Sequence, residues 1–134
     1  MIKGFAHICL EAEDLEKARQ FYLDVLGLEK GFDFEKDGKV VGFYAKAGER
    51  AFIEIFKGEK APEKAGGLLH FCLEARDVNE VERALARHGV ESWGKSLGAD
   101  DSWQLWCKDP SGNRIEFHQY TDRSSQLTGR KCVL

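Results

Sequence analysis

Apolar and polar residues alternate from the start of the chain. Phe5, His7 and Cys9 fall on one face of an extended segment, the period-two pattern of a strand. The period then lengthens. Leu15, Ala18, Tyr22, Val25 and Leu26 form a stripe at helical spacing, opened by Asp14 as N-cap and closed by Gly27, a residue that enters the left-handed region without a Cβ penalty. Three strand-like runs follow, Glu29–Phe34, Val40–Ala45 and Ala51–Phe56, divided by the turn signals Asp37-Gly38 and Ala47-Gly48.

The same order then repeats. His7-Ile8-Cys9-Leu10-Glu11-Ala12-Glu13-Asp14 returns 63 residues on as His70-Phe71-Cys72-Leu73-Glu74-Ala75-Arg76-Asp77. Leu26-Gly27-Leu28-Glu29 matches His88-Gly89-Val90-Glu91, and Phe52-Ile53-Glu54-Ile55-Phe56 matches Arg114-Ile115-Glu116-Phe117-His118, both at an offset of 62. Three matches in one order at nearly the same spacing point to a duplicated module. In the second copy Leu68, His70 and Cys72 share a strand face. Asp77 with Glu80 reads as a capping box, Val78, Val81 and Leu85 make the buried helix face, and Gly89 stops the helix. Strands are expected at Glu91–Lys95, Trp103–Lys108 and Arg114–Tyr120, the last two joined by the turn Asp109-Pro110-Ser111-Gly112-Asn113. The expectation is one α+β domain over 1–134. It consists of two βαβββ modules (about 1–60 and 66–120), a Lys57–Gly67 linker, and a tail (121–134) without periodicity and partly mobile.

Composition narrows the function classes. The 134 residues carry 20 basic and 23 acidic side chains, a net charge of −3, which removes a strongly basic nucleic-acid binder from the leading readings. No apolar run approaches the roughly 18–20 residues of a membrane span. Met1–Phe5 lacks the long apolar region of a secretion signal, and Cys9, Cys72, Cys107 and Cys132 form no CxxC pair. These features fit a cytoplasmic protein with free thiols, no membrane partner and no zinc knuckle.

Duplication gives the chemistry. Modules related by a pseudo-twofold axis present equivalent residues to each other, so His7 pairs with His70 and Glu54 with Glu116. Two imidazoles and two carboxylates suit one divalent transition metal (Ni, Zn, Co, Mn or Fe), with two positions of an octahedral ion left for water or substrate. Glu54 stands among Phe52, Ile53, Ile55 and Phe56, and a carboxylate buried there without compensation is costly. Cys9 and Cys72 share the histidines' strand faces and read as small buried hydrophobes.

These motifs resemble the vicinal oxygen chelate superfamily: glyoxalase I, extradiol dioxygenases, fosfomycin-modifying thiol transferases, methylmalonyl-CoA epimerase and bleomycin-binding proteins. The resemblance spans about residues 3 to 120. It rests on His7-Ile8-Cys9-Leu10, Asp14, Phe21-Tyr22, Leu26-Gly27, Ile53-Glu54, His70 and Asp109–Glu116. It implies a cup-shaped half-barrel of two βαβββ modules around a metal, commonly in a homodimer, acting on a small molecule that chelates the ion through adjacent oxygens. Glu at both 54 and 116 resembles the glyoxalase I set, which implies metal-assisted proton abstraction with Glu116 as base and Glu54 as the symmetric alternative. Glutathione-using members often carry Arg and Asn where this chain has Glu11 and Gly58, so another substrate is expected. His7, His70 and Glu116 also match the triad of extradiol iron enzymes, with His118 as a candidate acid–base residue. A thiol transferase is a further alternative, with Trp93, Lys95 and Ser102 in its phosphonate-side loop. So is a metal-free binding protein using Trp93, Trp103 and Trp106. Arg114, Trp103 and His118 are the candidate substrate-pocket residues.

Two signals are set aside. Gly89–Ser96 fits the phosphate-loop pattern by letter, but it follows a helix and runs into an acidic loop, the reverse of the strand-to-helix context that such a loop needs. Asp100 and Asp101 read as a solvated loop.

Overall fold

The structure is a computed structural model that describes residues 5–58, 70–130 and 132. Leu68 and the linker beyond Gly58 lie outside the described residues. The chain divides into two compact units, one of residues up to 65 with Asp109–Asn113, the other of 66–108 with 114–134.

The first unit is β1 (His7–Ala12), α1 (Leu15–Arg19) continued by a π-helical stretch (Gln20–Val25), β2 (Glu29–Lys36), β3 (Lys39–Lys46) and β4 (Phe52–Lys57). Its sheet has the order β1-β4-β3-β2, with β1 parallel to β4 and the other pairs antiparallel. Asp14 caps α1 as expected, its Oδ1 accepting from the backbone N–H groups of Glu16 and Lys17, both at 3.1 Å. The π-helical stretch departs from the 3.6-residue stripe. The Leu26 N–H reaches back five residues to the Phe21 carbonyl at 3.0 Å. Phe21 and Tyr22 are both buried. They pack with Leu10, Ala18, Phe43, Ala45, Ile53 and Ile55 to form the core on one face of the sheet. Asp37 and Gly38 both take positive φ, 51° and 70°, the pairing a type I′ hairpin requires. A bulge in β2 sets Gly31 and Phe32 against one partner residue. It brings Lys30 and Asp33 onto the same face, where Lys30 Nζ lies 2.5 Å from Asp33 Oδ2.

The second unit repeats this plan with β5 (Phe71–Glu74), α2 (Val78–Arg87), β6 (Ser96–Leu97), β7 (Trp103–Lys108) and β8 (Arg114–Gln119), in the order β5-β8-β7-β6. Val78, Leu85, Leu105, Cys107, Ile115 and Phe117 form its core. The expected capping box is a simpler cap. Asp77 Oδ1 accepts from Asn79, at 2.8 Å from the backbone and 2.7 Å from the side-chain nitrogen, so the short carboxylate is engaged one residue before Glu80. The strand expected at Glu91–Lys95 shrinks to an isolated bridge between Ser92 and Cys107. Gly94, at φ 77°, breaks the extension, and pairing resumes only at β6.

Residues 121–130 of the tail are tied to the second unit, where a partly mobile tail was expected. They include α3 (Ser125–Thr128). Ser124 is buried against Ser102, with the two hydroxyl oxygens 2.9 Å apart, and the Thr121 hydroxyl donates to the Asp101 carbonyl at 2.8 Å. No helix among the described residues is long and apolar enough to cross a membrane.

Candidate functional site

Strand alternation selects the side chains that share a face with the histidines. In the first unit Cys9 on β1 stands opposite Glu54 on β4, and Tyr44 on β3 pairs with Glu54 from the other side. In the second unit Cys72 on β5 stands opposite Glu116 on β8, and Trp106 on β7 pairs with Glu116. The duplicated motifs therefore occupy equivalent registers: His7, Cys9, Tyr44, Glu54 and Phe56 correspond to His70, Cys72, Trp106, Glu116 and His118.

Each unit brings its histidine to its glutamate. His7 Nε2 lies 3.8 Å from Glu54 Oε2, and His70 Nε2 lies 3.1 Å from Glu116 Oε2. Both histidines remain open to solvent, whereas the Glu116 side chain keeps only 8% of its exposure. Outer contacts fix the rings. The Tyr44 hydroxyl is 3.1 Å from His7 Nδ1, and the Trp106 ring meets His70 edge-on with centroids 4.7 Å apart.

His118 is buried beside this pair. Its Nε2 is 2.8 Å from Glu116 Oε1, so both oxygens of Glu116 face imidazoles. Its Nδ1 is 4.0 Å from Asp100 Oδ2. Asp100 is thus not simply a solvated loop residue. Burial pulls its pKa upward, but hydrogen bonds from Gln126 and Ser102 and the charge of His118 outweigh that and hold it below the usual carboxylate range. The Gln126 bond comes from the α3 segment, a contact for which the sequence offers no periodic signal.

The thiols depart from expectation. Cys9 and Cys72 are exposed rather than buried, because they stand on the face of each sheet that its helix does not cover. Partial desolvation and the adjoining Glu54 push the Cys9 thiol up to about 11. Desolvation and Glu116 push Cys72 up to about 12. Cys72, Glu116 and His118 each offer a donor atom within 4.8 Å of the others.

The remaining candidates divide. Arg114 shares the Glu116 face and lies over Trp93, 5.8 Å from guanidinium carbon to ring centroid, and Trp93 in turn stacks on Trp106. Trp103 alternates onto the opposite face with Leu105 and Cys107, where Lys95 Nζ sits 4.2 Å above its ring. It is therefore not brought to Glu116. Glu11 and Gly58, matched at a distance by the sequence, are neighbours: a Cβ added at Gly58 would come within 2.6 Å of the Glu11 carboxyl carbon.

The donor chemistry fits a divalent ion. Two atoms about 2.1 Å from one ion lie about 3.0 Å apart at a right angle and farther apart at wider angles. The two histidine–glutamate separations fall in that range. His118 stands where it could supply the outer hydrogen bond that a carboxylate ligand would need.

A family model described as "Glyoxalase/Bleomycin resistance protein/Dioxygenase superfamily" matches residues 4–117. The chain is 28% identical to catechol-2,3-dioxygenase of Bacillus subtilis over 96% of its own length and 45% of the relative. It is 33% identical to bovine mitochondrial methylmalonyl-CoA epimerase over 54% of its length and 47% of the relative. It thus spans about half the length of these relatives. Among solved structures, lactoylglutathione lyase from Agrobacterium tumefaciens superposes with a TM-score of 0.68 at 24% identity, covering 88% of this chain and 94% of that one, which is a likeness of fold. The two βαβββ units are the fold this chain shares with that structure, and the chain belongs to the glyoxalase/bleomycin resistance protein/dioxygenase superfamily.

Proposed function

We propose that this protein is a metal-dependent enzyme of the glyoxalase type, acting by proton abstraction on a small molecule with oxygens on adjacent carbons. His7, Glu54, His70 and Glu116 are the proposed donors to a divalent transition metal. The reading is carried by the repeated histidine–glutamate pair, at 3.8 Å in one unit and 3.1 Å in the other. An ion held by these residues supplies Lewis-acid polarisation of a substrate carbonyl, which acidifies the neighbouring C–H. Glu116 takes that proton, with Glu54 as its symmetric counterpart. His118 holds the second oxygen of Glu116 at 2.8 Å and so fixes the direction of the carboxylate. A placed base of this kind contributes about 10²–10⁴-fold.

Glu11 lies against Gly58 and repels an anionic glutathione arm, so the substrate is proposed to be another oxygenated molecule. The proposed setting is a cytoplasmic homodimer. The test is metal analysis of the purified protein, followed by assay of hemithioacetals of methylglyoxal with several thiols. Deuterium from solvent appearing beside the product carbonyl is the expected outcome. Failure to retain Ni, Zn, Co, Mn or Fe after loading defeats the reading.

A second reading is an extradiol-type iron dioxygenase using His7, His70 and Glu116. The buried His118 beside Glu116 favours it as an acid–base group, and so does the similarity to catechol-2,3-dioxygenase. Oxygen uptake with catechols under Fe(II) separates it from the first.

A further inference from the structure

Two neighbouring strands of the second unit carry four donor side chains. His70 stands just before β5, Cys72 lies on β5, and Glu116 and His118 lie on β8. Cys72 is the register partner of Glu116, and its thiol hydrogen-bonds to that carboxylate. Donor atoms of Cys72, Glu116 and His118 all fall within 4.8 Å of one another, and His70 Nε2 lies 3.1 Å from Glu116 Oε2. Glu116 and His118 are buried, at 6% and 8% exposure, while Cys72 and His70 are open to solvent. The cluster therefore combines fixed donors with an entry path, both of which a metal site needs.

The first unit does not repeat the set. Phe56 stands where the second unit has His118, so His7, Cys9 and Glu54 lack the second imidazole. His118 also has an outer partner. Its Nε2 turns to Glu116 at 2.8 Å, and its Nδ1 faces Asp100 Oδ2 at 4.0 Å. Asp100 is itself anchored by Gln126 Nε2 at 2.5 Å and by the Ser102 N–H at 3.2 Å. A carboxylate beside the far nitrogen is the usual support of a metal-bound imidazole, fixing the ring and raising its basicity.

We propose that the second unit alone binds zinc(II) through His70, Cys72, Glu116 and His118. This set shares His70 and Glu116 with the donors proposed for the reaction, but has Cys72 and His118 in place of His7 and Glu54. Two imidazoles, a carboxylate and a thiolate make a tetrahedral zinc set, and the soft sulfur favours zinc over manganese or magnesium. Tetrahedral nitrogen and oxygen donors stand about 3.3–3.4 Å apart, so the 2.8 and 3.1 Å pairs open by about half an ångström or less. Desolvation and Glu116 push the Cys72 thiol up, but a cation beside that carboxylate cancels its charge, and a coordinating thiol gives its proton to solvent. Binding in this mode asks nothing of His7 or Glu54. Its consequence rests on the proposed function: zinc held here makes Glu116 a ligand of a closed four-coordinate site, withdraws it as a base and inhibits the reaction.

The full chain, stripped of metal and kept reduced, is titrated with cobalt(II) and then with zinc(II). Cobalt is expected to give a thiolate-to-metal charge-transfer band in the near ultraviolet with the strong visible bands of a four-coordinate ion, and zinc to displace it. Cys72→Ser, at an exposed position, removes the charge-transfer band. It also weakens zinc at least about tenfold, since loss even of an outer partner costs about 10–100-fold. Cys9→Ser, at the matching position of the first unit, and Glu54→Gln leave the band unchanged. Cobalt bound without a thiolate band overturns the proposal, as does a band that survives Cys72→Ser or disappears in Cys9→Ser or Glu54→Gln. The same variants separate the two readings. A Cys72-dependent band in a protein that no metal renders active on hemithioacetals defeats the enzymatic reading alone. Metal retention that needs Glu54 but not Cys72 defeats only the one-unit zinc site.

Discussion

Nε2 of His118 lies 2.8 Å from Oε1 of Glu116, with both side chains about nine-tenths removed from solvent. The other oxygen of Glu116 faces His70 at 3.1 Å. Such an outer hydrogen bond restricts a carboxylate to one direction, and its removal from metal sites typically costs 10–100-fold in affinity. His118→Ala is therefore expected to lower metal affinity by about that factor in chelator competition, with the far-UV circular dichroism spectrum preserved. Unchanged affinity would reduce His118 to a packing residue.

Tyr22 and Asp109 are 87 positions apart, and the buried phenol donates to Asp109 Oδ2 at 2.8 Å. The same carboxylate accepts from the backbone N–H groups of Ser111 at 2.9 Å and Asn113 at 2.8 Å, so it organises the whole turn. A hydrogen bond to a charged acceptor contributes about 1.5–3 kcal/mol. Tyr22→Phe keeps the ring and its packing and should destabilise the protein by that amount in urea unfolding. A change below about 0.5 kcal/mol would mean that the turn holds itself without the phenol.

Much of this architecture was legible because duplication imposes a constraint that one strand or helix lacks. Cys9 opposite Glu54 and Cys72 opposite Glu116 are consequences of the 62–63-residue repeat, and the repeat supplied the site candidates directly. The misreadings occur where local signals compete with tertiary ones. Phe21 is buried beside Tyr22, although the expected stripe leaves it out, and Leu26, which the stripe includes, is only half-buried. Glu91–Lys95 has strand-like residues, but Gly94 interrupts it. The placement of residues 121–130 depends on single polar contacts such as Ser102 with Ser124, which have no period to read. Cys9 and Cys72 alternate as core residues would, but lie on the uncovered face. Residue type alone points Trp103 toward the site, but alternation places it with Leu105.

Asp33 joins two cations on the helix-covered face, Lys30 Nζ at 2.5 Å and Arg19 at 2.5 Å. Hydrogen bonds from Lys30 and then Arg19 hold its pKa below the usual carboxylate range. A depressed folded-state pKa contributes stability that is present above the unfolded-state value and is lost as pH falls through the folded one. Asp33→Asn should therefore be less stable than the parent at pH 7, and the gap should close below pH ~4. A gap independent of pH would assign the effect to lost packing. Exposure and salt screening keep the size modest.

Gly42 on β3 is the bare position that the Phe56 ring crosses. Its Cβ would strike backbone, the Ile55 carbonyl at 2.5 Å, as well as the Phe56 ring. A backbone atom cannot rotate away as a flexible side chain can. Gly42→Ala should cost about 1–3 kcal/mol through overpacking, measured by urea unfolding, and should shift the Phe34 and Phe56 ring resonances. An Ala variant as stable as the parent would show that β3 and β4 separate easily at this point.

The two glutamates offer the sharpest separation of roles. Glu116 is enclosed, with an imidazole on each oxygen, while Glu54 stands 3.8 Å from its histidine and is about twice as exposed, 17% against 8%. A base must hold one geometry against the substrate C–H, and enclosure by His70 and His118 gives Glu116 that property. Glutamine keeps an oxygen donor at either position but has no basic carboxylate. At matched metal occupancy, Glu116→Gln should lower kcat by about 10²–10⁴-fold, the usual worth of a placed base. Glu54→Gln should lower it less than about tenfold, because only a donor is weakened. Solvent deuterium incorporation, measured on the same variants, isolates the proton transfer from product release. If Glu54→Gln is the slower variant and also the one that loses exchange, the proton passes to Glu54, and the enclosed Glu116 serves as a donor only.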